Sequence, residues 1–398
     1  MTRIQSKARE EVIEIDRIIG KVNGSEKGPT LIFFAGIHGN EPSGVFALNQ
    51  LFKELEAKNT SVNGNIFAIA GNLSALKKGL RFNNKDLNRI WSKEVIDQLE
   101  KDQLSDDEEF RELEEIYSMV QDILKERKGP FYFLDLHTTS GPTIPFLTVN
   151  DSLLNRKFAE QYPIPMVLGI EEYLDGPLLS YINELGYVSF GFEAGQHDDP
   201  NSKQNHLAFA YITLYFTNAI GIDTNNFKKQ IETLKSAARG LDKVYEIFFR
   251  YGIKDNQKFE MLPGFENFQK VHQGEKIAIH NGVEVCAENN GMIFMPLYQG
   301  QGEDGFFAIR RIPRILLRLS TIFRKIKAEK LLSYLPGVSR DENNKELLLV
   351  DRRVAKFFTK QFFHLMGFRS KRVNKNLLIM KNREYHSKKD DYKETNWY

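Results

Sequence analysis

His38 and Glu41 stand three residues apart in Leu31–Gly44, LIFFAGIHGNEPSG. An imidazole and a carboxylate at that spacing can hold one cation if the turn curls. Gly36, Gly39 and Gly44 permit such a turn, and Pro42 suits the first position of a following helix, where its missing N–H costs nothing. The apolar run Leu31–Ala35 reads as a buried strand. Both side chains would then emerge at the carboxyl end of a strand, the edge where open α/β sheets bind ligands. A second pair of the same spacing, His272–Glu275, lies among turn residues with no further ligand type in pattern, and is read as incidental. The first pair gains weight only from residues further along.

Phe131–His137, FYFLDLH, is another apolar run, and it ends in Asp135 and His137. Positions i and i+2 share a face of a strand, so Asp135 would orient the His137 imidazole. Tyr187–Phe192 reads as a strand followed at once by Glu193. A carboxylate leaving a buried strand for a glycine-containing loop suits a general base. His197, in the same loop, reads as a surface histidine within reach of a substrate. Leu80–Trp91, LRFNNKDLNRIW, carries Arg81, Asn88 and Arg89. A guanidinium fork matches a carboxylate, and an adjacent amide adds a neutral donor; read alone, the segment is a solvated loop.

Together these residues support one chemistry. Two histidines and a glutamate fill three positions of a tetrahedral Zn²⁺ and leave the fourth for water. The ion would acidify that water and polarise a carbonyl. Glu193 could take the proton and hand it to a leaving nitrogen. Asn88 and Arg89 could clamp a substrate carboxylate, and Arg81 could steady the oxyanion.

The elements that must position these residues follow from patterning. Asn65–Ala70 is a buried-strand run, and Thr143–Val149 and Pro165–Val167 read as further strands. Gly44–Leu55 has apolar residues at helical spacing, as does the acidic stretch after Ser105. Asn205–Ile220 and Asn226–Phe249 read as helices. Near Tyr251 the character changes to short alternating runs with turns at Gly274, Asn281-Gly282 and Asn290-Gly291, which predicts a small all-β domain. Gly300–Gly305 is a loop that could bend toward the site. From Arg310 the chain is basic: Ile315–Leu335 is amphipathic, and Leu347–Val350, Val354–Met366 and Leu377–Met380 suggest strand, helix, strand. The expected domains are therefore 1–250, 251–312 and a basic extension, 313–398.

Composition bounds the function. The chain has 398 residues, 41% hydrophobic and 27% charged, as in an ordinary globular protein large enough for several domains. A net charge of +2 gives no general argument for nucleic acid or membrane binding. The basic extension reads as a solvated face. Cys286, the one cysteine, excludes an internal disulfide and fits a reducing compartment. The N-terminus lacks an apolar signal core, and no run approaches a membrane span, so a cytoplasmic protein is expected.

GIHGNEPSG, KDLNRIW, FLDLHTTSGP and FEAGQ resemble the motifs of the succinylglutamate desuccinylase and aspartoacylase family. The resemblance covers roughly residues 30–310. It implies a three-layer α/β fold of the zinc carboxypeptidase kind, a mixed sheet with helices on both faces, and a β domain on the C-terminal side. It implies one Zn²⁺ per chain on His38, Glu41 and His137, with Glu193 as catalytic glutamate. It further implies that Arg81 polarises the carbonyl and that Asn88 and Arg89 take the substrate carboxylate. Tyr173–Gly186 has no Arg or Lys where aspartoacylase carries a further substrate-binding arginine, which argues against N-acetylaspartate. Tyr298 does not align securely with that enzyme's tyrosine.

The expectation is a zinc-dependent amidohydrolase acting on an N-acyl amino acid or a similar small amide with a free carboxylate. The alternatives are a carboxypeptidase-like activity on short peptides and a silent zinc-binding protein whose basic tail recruits a partner. The oligomeric state is left open.

Overall fold

The structure is a computed structural model that describes residues 1–398 apart from 7, 9, 26, 255–256, 343, 352, 356–359 and 373–376, and apart from the side chains of 360–361 and 371–372. Its frame is an eleven-stranded mixed sheet. In chain order the strands are β1 (Ile18–Asn23), β2 (Thr30–Ala35), β3 (Asn65–Ala70), β4 (Phe131–Thr139), β5 (Phe146–Val149), β6 (Met166–Leu168), β7 (Val188–Gln196), β8 (Val244–Gly252), β9 (Lys270–Val271), β10 (Gly291–Phe294) and β11 (Asp304–Arg311). Across the sheet they run β9-β10-β11-β8-β6-β5-β7-β4-β2-β3-β1. At its centre β3, β2, β4 and β7 are parallel neighbours.

These central strands are buried along almost their whole length and mostly apolar because both faces are covered, with Asp135, His137 and Glu193 toward the carboxyl ends of β4 and β7. Leu31, Phe33 and Ala35 join one buried cluster with Val45, Leu48 and Phe209, whereas Ile32 and Phe34 join another with Leu113, Ile116 and Val120. Helices α1 (Ser43–Ala57) and α2 (Glu108–Glu126) therefore lie on opposite faces, and α3 (Ser202–Phe216) packs with α1.

One expected helix is wrong. Asn226–Phe249 divides into α4 (Thr224–Ala237) and strand β8. Leu241, Val244 and Ile247 imitate helical spacing, but Gly240, at φ +69°, follows the helix end. The aromatic and β-branched stretch VYEIFFRYG then pairs with β6 and β11. The all-β region is present. Its strands β9 to β11 extend the main sheet, while Phe259–Met261, Lys276–His280 and Val283–Cys286 form a sheet of three.

The basic extension folds back onto the sheet. Its helix α5 (Arg314–Lys325) is followed by a four-stranded antiparallel sheet containing Leu347–Asp351 and Leu377–Asn382. The helix expected over Val354–Met366 is seen as Lys360–Leu365, and residues 356–359 of that expectation lie outside the described residues. The C-terminal Tyr392 and Trp397 are buried against Tyr132; Trp397 Nε1 donates to Tyr132 Oη at 3.0 Å.

The extension is held by Asp151, a buried carboxylate touched by Arg156, Arg324 at 2.9 Å and Arg383 at 2.8 Å. Burial alone would raise the Asp151 pKa, but the three guanidinium groups hold it below the usual carboxylate range. A carboxylate depressed in this way contributes its full stability above the unfolded-state pKa and loses it only as the pH falls through the folded value. Asp151→Asn is expected to cost about 3–5 kcal/mol in urea unfolding at neutral pH, because it strands buried cations without their counter-charge.

Candidate metal centre and active site

The site lies at the carboxyl ends of β2, β4 and β7. After β2 the chain reverses at Gly36, φ +72°, a backbone region that suits glycine. Gly39 packs so closely that a Cβ there would sit 2.1 Å from the Ala75 carbonyl carbon. Its N–H donates to the Arg81 carbonyl at 3.0 Å, which ties the His38 turn to the Arg81 loop.

That turn brings His38 and Glu41 together with His137 from β4. All three are buried, and one ligand atom from each lies within 4.8 Å of the others. Glu41 Oε1 is 2.8 Å from His38 Nδ1, and its Oε2 is 3.2 Å from His137 Nδ1. The Thr138 backbone N–H donates to Oε2 at 2.8 Å, fixing the carboxylate. The far nitrogen of each ring faces its own carboxylate: His137 Nε2 is 2.6 Å from Asp135 and His38 Nε2 is 3.1 Å from Asp86.

This pattern tests the fit to a cation. Each Nε2 proton has a carboxylate to receive it, so a neutral ring turns the lone pair of Nδ1 inward. Two such lone pairs then face the anionic Glu41, a contact that repels unless positive charge lies between them. Two nitrogens and a carboxylate form a donor set suited to Zn²⁺. A proton on the ring can supply that positive charge in place of a metal ion, and the pKa directions reflect it. Burial would raise the Glu41 pKa, but His38 and His137 pull it well below the ordinary value. Burial would lower the His137 pKa, yet Asp135 and Glu41 hold it well above the ordinary value.

Glu193 lies within β7, which runs on to Gln196 rather than giving way to a loop after Phe192, and it stands beside His137, its register partner on β4. It is buried, and its Oε2 has no hydrogen-bond partner among the described residues. Burial lifts its carboxyl to about 8; His137 opposes the lift, while Glu41 and Asp135 add to it.

Arg81 reaches the same centre. Its Nη1 is 3.6 Å from Glu41 Oε1, and its Nη2 is 3.0 Å from Asp86. Asp86 thus braces both His38 and Arg81 and also accepts from the Asn88 N–H at 2.9 Å. Sequence reading missed it as a separate participant. It stands inside the quoted KDLNRIW motif, but an acid in a polar loop carries no mark of its partners.

Asn88 and Arg89 line the cavity, though parts of both side chains are engaged. Asn88 Oδ1 accepts from the Leu178 N–H at 3.0 Å, which leaves the amide nitrogen as the donor to a ligand. Arg89 Nη2 is 3.0 Å from Asp304 Oδ2, a contact across the loop before β11. Gly300–Gly305 does bend toward the site: Gly302, Glu303 and Asp304 line the cavity. His197 lines it too, held by Thr138 at 2.8 Å and Gln299 at 3.1 Å. Tyr298 is turned away, its hydroxyl donating to the Leu262 carbonyl at 2.7 Å. The cavity measures about 140 Å³, and Ile170, Leu174, Leu179, Leu297 and Phe307 give it an apolar wall.

Residues 27–217 match the family model of the succinylglutamate desuccinylase/aspartoacylase catalytic domain. That match covers just under half of the chain. All the residues that converge on the centre from β2, β4, β7 and the Arg81–Arg89 loop lie within it. A succinylglutamate desuccinylase of Photorhabdus laumondii is 36% identical over 66 residues, 17% of this chain and 20% of that one. Its counterpart from Chromobacterium violaceum is 26% identical over 73 residues, 18% of this chain and 22% of that one. The matched stretch thus spans about a fifth of the length of these curated relatives. Among solved structures, a succinylglutamate desuccinylase/aspartoacylase from Rhodobacter sphaeroides superposes with a TM-score of 0.54 at 16% identity, covering 73% of this chain and 88% of that one. An ectoine utilization protein from Ruegeria pomeroyi gives 0.52 at 17% identity, covering 74% and 88%. These likenesses show a shared fold.

Proposed function

We propose that the chain is a zinc-dependent amidohydrolase that cleaves an N-acyl amino acid or a similar small amide bearing one free carboxylate. The observation that carries this reading is the convergence of His38 Nδ1, Glu41 and His137 Nδ1 beside a buried Glu193 oxygen that has no hydrogen-bond partner among the described residues. A zinc ion held by these three side chains would supply Lewis-acid polarisation and a more acidic water.

The chain's own groups would do the rest. Glu193 would accept a proton from the attacking water and deliver it to the leaving nitrogen. Arg81, fixed by Asp86, would face the charge that develops on the carbonyl oxygen. Asn88 and Arg89 would receive the substrate carboxylate, which must share the Arg89 guanidinium with Asp304. The apolar wall would accept an uncharged portion of the substrate.

Steady-state hydrolysis of N-acyl amino acids against the matching dipeptides tests the reading. Faster turnover of the N-acyl amino acids is expected, along with a large rise in KM when the substrate carboxylate is converted to its amide. Preference for dipeptides would replace the reading with a carboxypeptidase-like one, and no turnover of either class would overturn it.

A further inference from the structure

Helix α5 turns a stripe of large apolar side chains outward. Ile315, Leu319, Ile322 and Ile326 are spaced four, three and four residues apart, which places them on one side of a helix. Ile315 is 65% exposed, Ile322 53% and Ile326, at the C-terminal cap, 67%. Leu331, just beyond, is 66% exposed. Scattered exposed apolar residues are ordinary, but an aligned set on one element marks a contact surface.

The opposite side of α5 is anchored. Ser320 and Arg324 are buried, Leu317 packs against the core beneath the main sheet, and Arg324 is gripped by Asp151 and Glu384. The helix cannot roll to hide the stripe without breaking that buried ion cluster. Along one edge of the stripe stand Arg314, Arg318 and Lys325, and Lys327 and Lys330 follow. Helix α5 itself carries no Asp or Glu, and Glu329, between Lys327 and Lys330, is the first acid after it.

We infer that α5 docks the protein on an anionic lipid surface. An aligned apolar face flanked by cations and free of acids is the pattern of a helix lying in a membrane interface. Its charge complements acidic headgroups, whereas a second copy of the same helix would set cations against cations. No helix among the described residues is long and apolar enough to cross a membrane, so the contact would be peripheral.

Co-sedimentation of the full chain with vesicles tests this. Binding is expected to vesicles of phosphatidylcholine containing phosphatidylserine, to be weak for phosphatidylcholine alone, and to fall as salt rises. The double variant Ile322→Asp/Ile326→Asp should bind about tenfold or more weakly. Arg318→Gln/Lys325→Gln should lose about fivefold per cation. All four side chains are on the surface, so an unchanged circular dichroism spectrum and unchanged hydrolysis would show that the variants are folded. Absence of vesicle binding, equal binding to both lipid compositions, or full binding by Ile322→Asp/Ile326→Asp would overturn the inference. So would a dimer in sedimentation velocity, or retention of RNA, that this variant abolishes while vesicles bind nothing.

Discussion

Replacing Glu193 with glutamine should lower kcat by about 10²–10⁴ while leaving bound zinc unchanged. Glutamine preserves the volume and the burial between β4 and β7 but cannot take up a proton. Elemental analysis and kinetics on one preparation separate the two effects. The pH profile adds a sign. The base must be ionised to act, so wild-type kcat/KM rises with pH through the Glu193 pKa. Burial pushes that pKa upward, and a nearby cation would oppose the push. This acid limb should disappear in Glu193→Gln. Wild-type turnover by that variant would remove Glu193 from the proton path.

Replacing His137 with alanine should abolish stoichiometric zinc, and activity with it. The substitution removes one of three converging donors and leaves Asp135 buried opposite an empty space. Two donors hold the ion far less tightly than three, so loss under mild chelation is expected at concentrations where the native chain stays loaded. Circular dichroism should remain native, because β4 keeps its pairing with β2 and β7. A His137→Ala chain that retains one equivalent of zinc would refute this ligand set.

Much of the convergence at this candidate site was legible in sequence because its parts are local. Leu31–Ala35 and Phe131–Leu134 are apolar without alternation, which marks strands buried on both faces, and ligand-type residues follow them. Asp135 and His137 share a face by simple alternation, and the structure places them 2.6 Å apart. The partnerships that stayed hidden are long-range. Asp86 meets His38 across 48 positions, and Asp304 meets Arg89 across 215. No periodicity records such pairings.

The same reason explains the errors in the fold. Val244–Gly252 carries both a helical and a strand pattern, and its place between β6 and β11 decides the matter. The extension read as a solvated basic face, yet Arg324 and Arg383 turn inward to Asp151. A run of cations does not reveal which of them will find a buried carboxylate.

An anomalous difference map at the zinc absorption edge, from crystals of the zinc-loaded chain, would locate the ion. One strong peak bonded to His38 Nδ1, Glu41 and His137 Nδ1 is expected. A peak at other side chains, with those three still clasping one another, would contradict this ligand set.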